Sequence, residues 1–440
     1  MNIEFNKDTF FIGAATSACQ IEGGYDKDGR TPSIWDVAPK KKVANGDNCH
    51  HACEHYSHYK EDVALMKKIG LNSYRFSISF SRVMSEPHKV NEKGIEFYDN
   101  LINELIKNNI EPIVTLYHWD LPIYLQKIGG FKNPEIIEYF KEYSKLIVDK
   151  FSDRVKYWIP FNEPQCFILI GHVTGVHAPY TFDFFSLNKI TKHFLIANNE
   201  MIRIIRENAK IKPVVGISMA TVVSIPKDNS EKAYKKAYKK TFFSMMGKLS
   251  NYFFNDPVFL KKKSRMLGIF SQSKKTLAKL DQDVDFIGIN AYQPLTNTSI
   301  EIKASKKEKE QKHTSMGWII DGKCLYYSAK FFYDRYKKPI VITENGVAFN
   351  DVVDNGAVHD QNRIEYIEEY FSNLMKAKRE GVDIRGYLYW SLLDNFEWAW
   401  GYEPRFGLIY VDFNSYERII KDSGIKFTEI IQKYLQQNKD

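Results

Sequence analysis

Two kinds of segment alternate along the chain: short apolar runs rich in β-branched and aromatic residues, and stretches whose apolar positions recur every three or four residues. The first kind reads as buried strands and the second as amphipathic helices packed over them. Strands are expected at 10–17, 73–79, 111–118, 155–163, 212–220, 284–290, 338–344 and 384–391. Helices are expected between them at 56–69, 92–107, 134–150, 188–210, 323–336 and 361–380. In the first of these Tyr56, Tyr59, Val63, Met66 and Ile69 share one face, and Gly70 stops it. In the second, Ile95, Tyr98, Leu101, Ile102 and Leu105 do the same. Pro160 inside the fourth strand has no N–H to donate, so a bulge or a break in pairing is expected there.

Eight short apolar strands alternating with helices imply an α/β fold closed as a parallel (β/α)8 TIM barrel. The competing architecture is an open doubly wound sheet, but no G-x-G-x-x-G turn follows the first strand. At 440 residues, with no Pro-, Gly- or Ser-rich linker and no short repeat, residues 1–440 read as one barrel domain with extended βα loops.

Composition narrows the function classes. Apolar content of 44% and charged content of 26% belong to a soluble globular chain. The formal charge is +8, and lysines cluster at 235–240, 261–263 and 303–312. No nucleic-acid motif accompanies them, so they read as solvated helix faces and a loop rather than a nucleic-acid surface. Five cysteines, an odd and sparse set, suggest free thiols, and the N-terminus has no apolar signal core. No run approaches 18 apolar residues, so no membrane span and a cytoplasmic location are expected. The segment Cys49–His58 is rich in metal-ligand side chains, but its spacing fits none of the usual zinc patterns. It reads as loop packing and the start of a helix, and no metal is expected.

Candidate chemistry gathers at one edge of the expected barrel. Glu163 ends the fourth strand in W-I-P-F-N-E-P, and Glu344 ends the seventh in I-V-I-T-E-N-G. Gln20 follows strand one, Arg75 lies in strand two, His118 ends strand three, and Asn162 precedes Glu163. Asn290 and Tyr292 follow strand six, and Trp390 ends strand eight. The C-terminal strand ends of such a barrel share the face where active sites form. Two carboxylates across a pocket there suit cleavage of a glycosidic bond, and aromatic residues at 15% suit the flat C–H faces of sugars. Trp390, Trp398 and Trp400 could each belong to the core instead, Trp400 first among them.

With those residues in view, the chain resembles glycoside hydrolase family 1, the β-glucosidase family. The resemblance rests on F-I-G-A-A-T-S-A-C-Q-I-E-G, H-Y-S-H-Y-K-E-D-V, R-F-S-I-S-F-S-R, T-L-Y-H-W-D-L-P, F-N-E-P, I-T-E-N-G and the stretch 386–412, in that order. It implies Glu163 as acid/base and Glu344 as nucleophile. It also implies Gln20, His118, Asn162, Glu397 and Trp398 as contacts to sugar hydroxyls, and Trp390 as the platform beneath the ring. Arg75, Asn290 and Tyr292 would hold Glu344 ionised and aimed, and Trp318 would wall the leaving-group site. Cys19, Phe80 and Pro160 stand where the family usually has Tyr, Trp and Thr.

The implied reaction is hydrolysis of small, unphosphorylated β-glucosides, and of related galactosides or fucosides, through a glycosyl-enzyme, with no cofactor. Two alternatives stay open: a 6-phospho-β-glycosidase and a catalytically weak sugar-binding barrel. The phosphorylated substrate is disfavoured because Glu397, Pro404 and Phe406 stand where phosphate-binding relatives carry a small residue, Lys and Tyr. The oligomeric state is not legible.

Overall fold

The computed structural model describes residues 10–295 and 310–436. Its eight parallel strands are β1 Phe11–Ala15, β2 Ser73–Ser77, β3 Glu111–Tyr117, β4 Tyr157–Phe161, β5 Val214–Ala220, β6 Phe286–Asn290, β7 Ile340–Asn345 and β8 Ile384–Trp390. Each strand pairs with its sequence neighbours, and β8 closes on β1 with Phe11 opposite Gly386 and Ala15 opposite Trp390. The expected TIM barrel is therefore present, every strand within three residues of its expected ends.

Alternation decides which side chains enter the barrel. In β2, Tyr74 and Phe76 join the layer under the helices, which turns Arg75 inward. Phe11, Ile113, Tyr157, Ile159, Val214, Phe286, Val341 and Leu388 form a separate apolar cluster inside the barrel. That filled interior makes the barrel a rigid plug beneath its C-terminal face rather than a pore.

The helices follow the apolar spacing. The long ones are α1 His55–Ile69, α2 Glu92–Lys107, α3 Ile136–Phe151, α4 Leu187–Asn208, α5 Glu231–Phe243, α6 Lys323–Tyr336, α7 Gln361–Arg379 and α8 Asp422–Gln436. Gly70 ends α1 at φ 89°, its N–H bonding the carbonyls of Met66 and Lys67. In α2 the buried stripe is Ile95, Phe97, Tyr98, Leu101, Ile102 and Leu105, each stabilising by about 1.5–3 kcal/mol. Among the described residues no helix is long and apolar enough to cross a membrane.

Two of these eight helices were not expected. In α5 only Ala237, Thr241 and Phe242 are buried, so its periodicity is masked by a lysine-covered outer face. In α8, Phe427, Ile430 and Ile431 face the core and pack the helix beside α7 and α1. The lysines of 235–240 lie on α5, with Glu231 paired to Lys235 at 2.5 Å. Lys262 and Lys263 are exposed in the loop after Leu260. The cluster at 303–312 falls mainly outside the described residues.

Cys49–His58 packs as a loop running into α1. His50 bonds the Asp36 carbonyl at 2.9 Å, His51 bonds Glu54 at 3.0 Å and Cys53 donates to the Asp394 carbonyl at 2.9 Å. His55 is bonded to Asp62 at 2.7 Å. The sulfurs of Cys19 and Cys49 lie 3.2 Å apart.

Candidate active site

Both key carboxyls sit where strand pairing slips. Between β4 and β5, Trp158 pairs with Val215 and Asn162 with Ser218, so β4 carries one extra residue around Pro160. This is the break that the proline requires. Just past it, Glu163 takes a left-handed backbone (φ 43°), with its N–H on the Ser218 carbonyl at 2.9 Å. Between β6 and β7, Ile289 pairs with Ile342 but Asn290 pairs with Glu344, leaving Thr343 as the extra residue. Such bulges re-aim side chains next to functional sites. Gly346 completes the turn: a Cβ there would lie 1.7 Å from the Trp390 carbonyl oxygen, so only glycine lets β7 pass β8.

One hydrogen-bond network joins the two carboxyls. Arg75, fully buried, donates to Glu344 Oε1 at 2.6 Å, to Asn162 Oδ1 at 2.7 Å and to Thr115 Oγ1 at 3.0 Å. Tyr292 donates its hydroxyl to Glu344 Oε2 at 2.8 Å. Asn290 donates to Glu163 Oε1 at 2.9 Å and to Asn162 Oδ1 at 3.0 Å, and its own oxygen accepts from Thr343 at 2.6 Å.

Two donors on Asn162 Oδ1 fix the orientation of that amide. Its Nδ2 must therefore donate to His118 Nε2, 2.9 Å away. Burial, with the Arg75 charge, holds His118 well below its usual pKa, so the ring is neutral. The proton then belongs on Nδ1, which is buried without a partner among the described residues. His118 thus keeps one spare donor on the cavity wall.

The network divides the carboxyls electrostatically. Burial, then the Glu344 charge, pushes Glu163 up to about 8, against weaker opposition from Asn290 and the Cys166 thiol. Burial leaves Glu344 above the usual carboxylate value too, though the Arg75 charge and hydrogen bond, then Tyr292, oppose that rise. With the Arg75 guanidinium on Glu344 and only a neutral amide on Glu163, the pair's proton is favoured on Glu163 and its charge on Glu344. Burial and the Glu344 charge also push Glu397 up to about 8.

Both carboxyls line one cavity of about 630 Å³ at the C-terminal mouth, together with His118, Asn290, Tyr292, Trp318, Trp390, Glu397 and Trp398. Trp390 lies 5.7 Å from the His118 ring at 29°, and Trp398 packs 4.7 Å from Trp119. Trp318 stands against Tyr292 and Phe406, with ring centroids 5.4 and 6.1 Å apart. Arg75, Asn162 and Gln20 do not line the cavity but stand behind it. The Gln20 amide nitrogen is engaged by the Phe396 carbonyl at 2.8 Å and Asn395 at 3.0 Å, with Glu397 at 3.4 Å.

Trp400 corrects an expectation. It is 47% exposed and lines the cavity rather than the core, because the tight turn Trp398–Trp400 sends Trp398 inward and Trp400 out to the rim. The loop carrying Glu397 and Trp398 is pinned from below by buried ions. Asp394 accepts from Lys421 at 2.7 Å, Arg405 at 2.8 Å and the Gly407 N–H at 2.8 Å.

Sequence reasoning missed Cys166, Ile170, His177, Thr221 and Gln293, which also line the cavity. Two carried a positional signal. Cys166 is one turn beyond Glu163, and Gln293 directly follows Tyr292.

A filled barrel with one deep cavity at its C-terminal mouth, floored by a neutral and an ionised carboxyl, defines a glycoside-hydrolysing enzyme. Residues 1–435 match the profile of Glycosyl hydrolase family 1, and the chain belongs to that family. It is 40% identical to Beta-glucosidase A of Acetivibrio thermocellus, over 98% of either chain. It is 37% identical to Beta-glucosidase A of Thermotoga maritima, over 98% of this chain and 99% of that one. The solved structure of a β-glucosidase from Thermotoga maritima in complex with glucoimidazole superposes with a TM-score of 0.87 at 36% identity, covering 97% of this chain and 98% of that one. Another from the same organism, in complex with deoxynojirimycin, superposes equally, with a TM-score of 0.87.

Proposed function

We propose that the protein is a retaining β-glucosidase acting on small, unphosphorylated β-glucosides, with Glu344 as nucleophile and Glu163 as acid/base. The observation that carries this reading is the unequal support of two buried carboxyls on one cavity. Glu344 holds a guanidinium and a phenol, whereas Glu163 holds a neutral amide and is pushed up to about 8. In the first step Glu344 attacks the anomeric carbon, the glycosidic C–O bond breaks, and Glu163 gives its proton to the departing oxygen. Glu344 is then esterified and uncharged, so the force that kept Glu163 protonated is gone. Glu163, now a carboxylate, takes a proton from water as that water attacks the anomeric carbon and Glu344 leaves. Retained configuration follows from two displacements.

His118, with its spare Nδ1 donor, together with Glu397 and Trp398, would hold the sugar hydroxyls, and Trp390 would lie under the ring. Gln20 and Asn162 would act from behind these groups, orienting Glu397 and His118. The names of the relatives, and the sugar-like inhibitors in the Thermotoga structures, support the glucoside reading. We also place the protein in the cytoplasm, on its odd and sparse set of five cysteines.

The phosphorylated alternative fits the cavity poorly. Its described lining contains no Lys or Arg, and its carboxyls are Glu163, Glu344 and Glu397. A 6-phosphate would bring about two negative charges into a cavity that already holds the Glu344 charge and offers no cation on its described lining. p-Nitrophenyl β-glucoside should be hydrolysed with far higher kcat/KM than its 6-phosphate, and Glu397→Ser should narrow the gap. A preference for the phosphorylated substrate would overturn this reading.

A further inference from the structure

The groups around the reacting carbon are engaged with one another, but three lining side chains keep a polar atom buried without a partner among the described residues: His118 and His177 at Nδ1, and Gln293 at Oε1, of which only Gln293 follows β6. Gln293 is 9% exposed, and its Oε1 is buried without a hydrogen-bond partner among the described residues. Exchanging the amide oxygen and nitrogen changes nothing, because no described side chain or backbone group bonds either end. A buried carboxamide left this way is unfavourable unless a ligand completes it. A carboxamide offers an acceptor and two donors side by side and no charge, which matches an alcohol hydroxyl.

The position of Gln293 says which part of a substrate it meets. The backbone after β6 runs beside that after β5: the Thr221 N–H bonds the Asn290 carbonyl at 2.8 Å, and the Leu295 N–H bonds the Val223 carbonyl at 2.8 Å. Gln293 therefore stands with Ala220, Thr221 and Val222 on the β5–β6 side of the mouth. The groups assigned to the cleaved sugar, His118, Glu397 and Trp398, follow β3 and β8. Thr221 already spends its hydroxyl on the Met219 carbonyl at 3.1 Å, and the rest of this wall is apolar.

We propose that Gln293 is a specificity residue for the leaving group, its carboxamide bonding a hydroxyl of a second sugar so that β-linked disaccharides are favoured over leaving groups without hydroxyls. This rests on the retaining β-glucosidase reading. It goes beyond it by naming a hydroxylated leaving group and the residue that selects it.

The test is steady-state kinetics on cellobiose, cyclohexyl β-glucoside and p-nitrophenyl β-glucoside, with the parent enzyme, Gln293→Met and Gln293→Ala. Cyclohexyl β-glucoside presents a leaving ring of similar size without hydroxyls. The parent should show a higher kcat/KM on cellobiose than on cyclohexyl β-glucoside. In either variant the cellobiose to p-nitrophenyl β-glucoside ratio of kcat/KM should fall about two- to tenfold, the worth of one hydrogen bond to a neutral partner. An unchanged ratio in a folded variant overturns the proposal, as does a parent enzyme that favours the cyclohexyl glucoside. If the parent hydrolyses none of the three, the β-glucosidase reading itself fails, an outcome separate from failure at Gln293.

Discussion

Replacing Tyr292 by Phe removes one hydroxyl and little else. That hydroxyl donates to Glu344 Oε2 at 2.8 Å in a buried setting, while Arg75 continues to hold Oε1. A hydrogen bond to a charged group is worth about 1.5–3 kcal/mol. At about 1.4 kcal/mol per factor of ten, its loss corresponds to roughly 10- to 150-fold. The effect should concentrate in the second displacement, where Glu344 departs as a carboxylate and regains its charge. Glycosyl-enzyme should then accumulate, so that kcat and KM fall together and p-nitrophenol appears in a burst. The acid limb of kcat/KM should also rise by about one to two pH units, because the ionised nucleophile has lost a donor. Stopped-flow release of p-nitrophenol across pH 4–9 reads all three quantities. A variant with unchanged kcat, no burst and an unmoved acid limb would refute the role of this hydrogen bond.

Glu344→Ala should lose nearly all turnover, and added azide should restore part of it on activated aryl glucosides and yield the α-glucosyl azide, read by NMR. Glu163→Gln should slow substrates with poor leaving groups most, seen as a steeper dependence of kcat/KM on leaving-group pKa. In the parent the basic limb should fall near pH 8, as Glu163 loses the proton it must donate. Because burial raises the pKa of folded Glu163, its contribution to stability is full below about pH 4, the unfolded range, and is lost as pH rises toward 8. Glu163→Gln should therefore raise the melting temperature more at pH 9 than at pH 5, and equal shifts at the two values would contradict the raised pKa.

The barrel was legible because its strands are short apolar runs and most of its helices keep an apolar stripe, as α2 does with Ile95, Tyr98 and Leu101. The α5 helix was not, since a lysine-covered face dilutes its three buried positions. Pro160 announced a pairing fault, but the sequence could not tell that the fault turns Glu163 into the mouth. Glu163 and Glu344 stood out at strand ends, whereas the division of labour around them depends on which donors reach which oxygen. That is set by Arg75, Asn290 and Tyr292 arriving from two other strands. Trp400 was misread because a tight turn, unlike a strand or helix, has no period that assigns its faces. Gln293 carries no motif, and only the absence of a partner around its carboxamide marks it.

The central claim is a covalent intermediate on Glu344. A 2-deoxy-2-fluoro-β-glucoside with an activated leaving group slows the second displacement by removing the 2-hydroxyl and destabilising the oxocarbenium-like transition state. Incubation with the parent enzyme, proteolysis and peptide mass spectrometry then locate the sugar. The account predicts time-dependent inactivation with one fluoroglucosyl group attached to Glu344. An adduct on any other residue, or turnover with no adduct and inverted product, would contradict it.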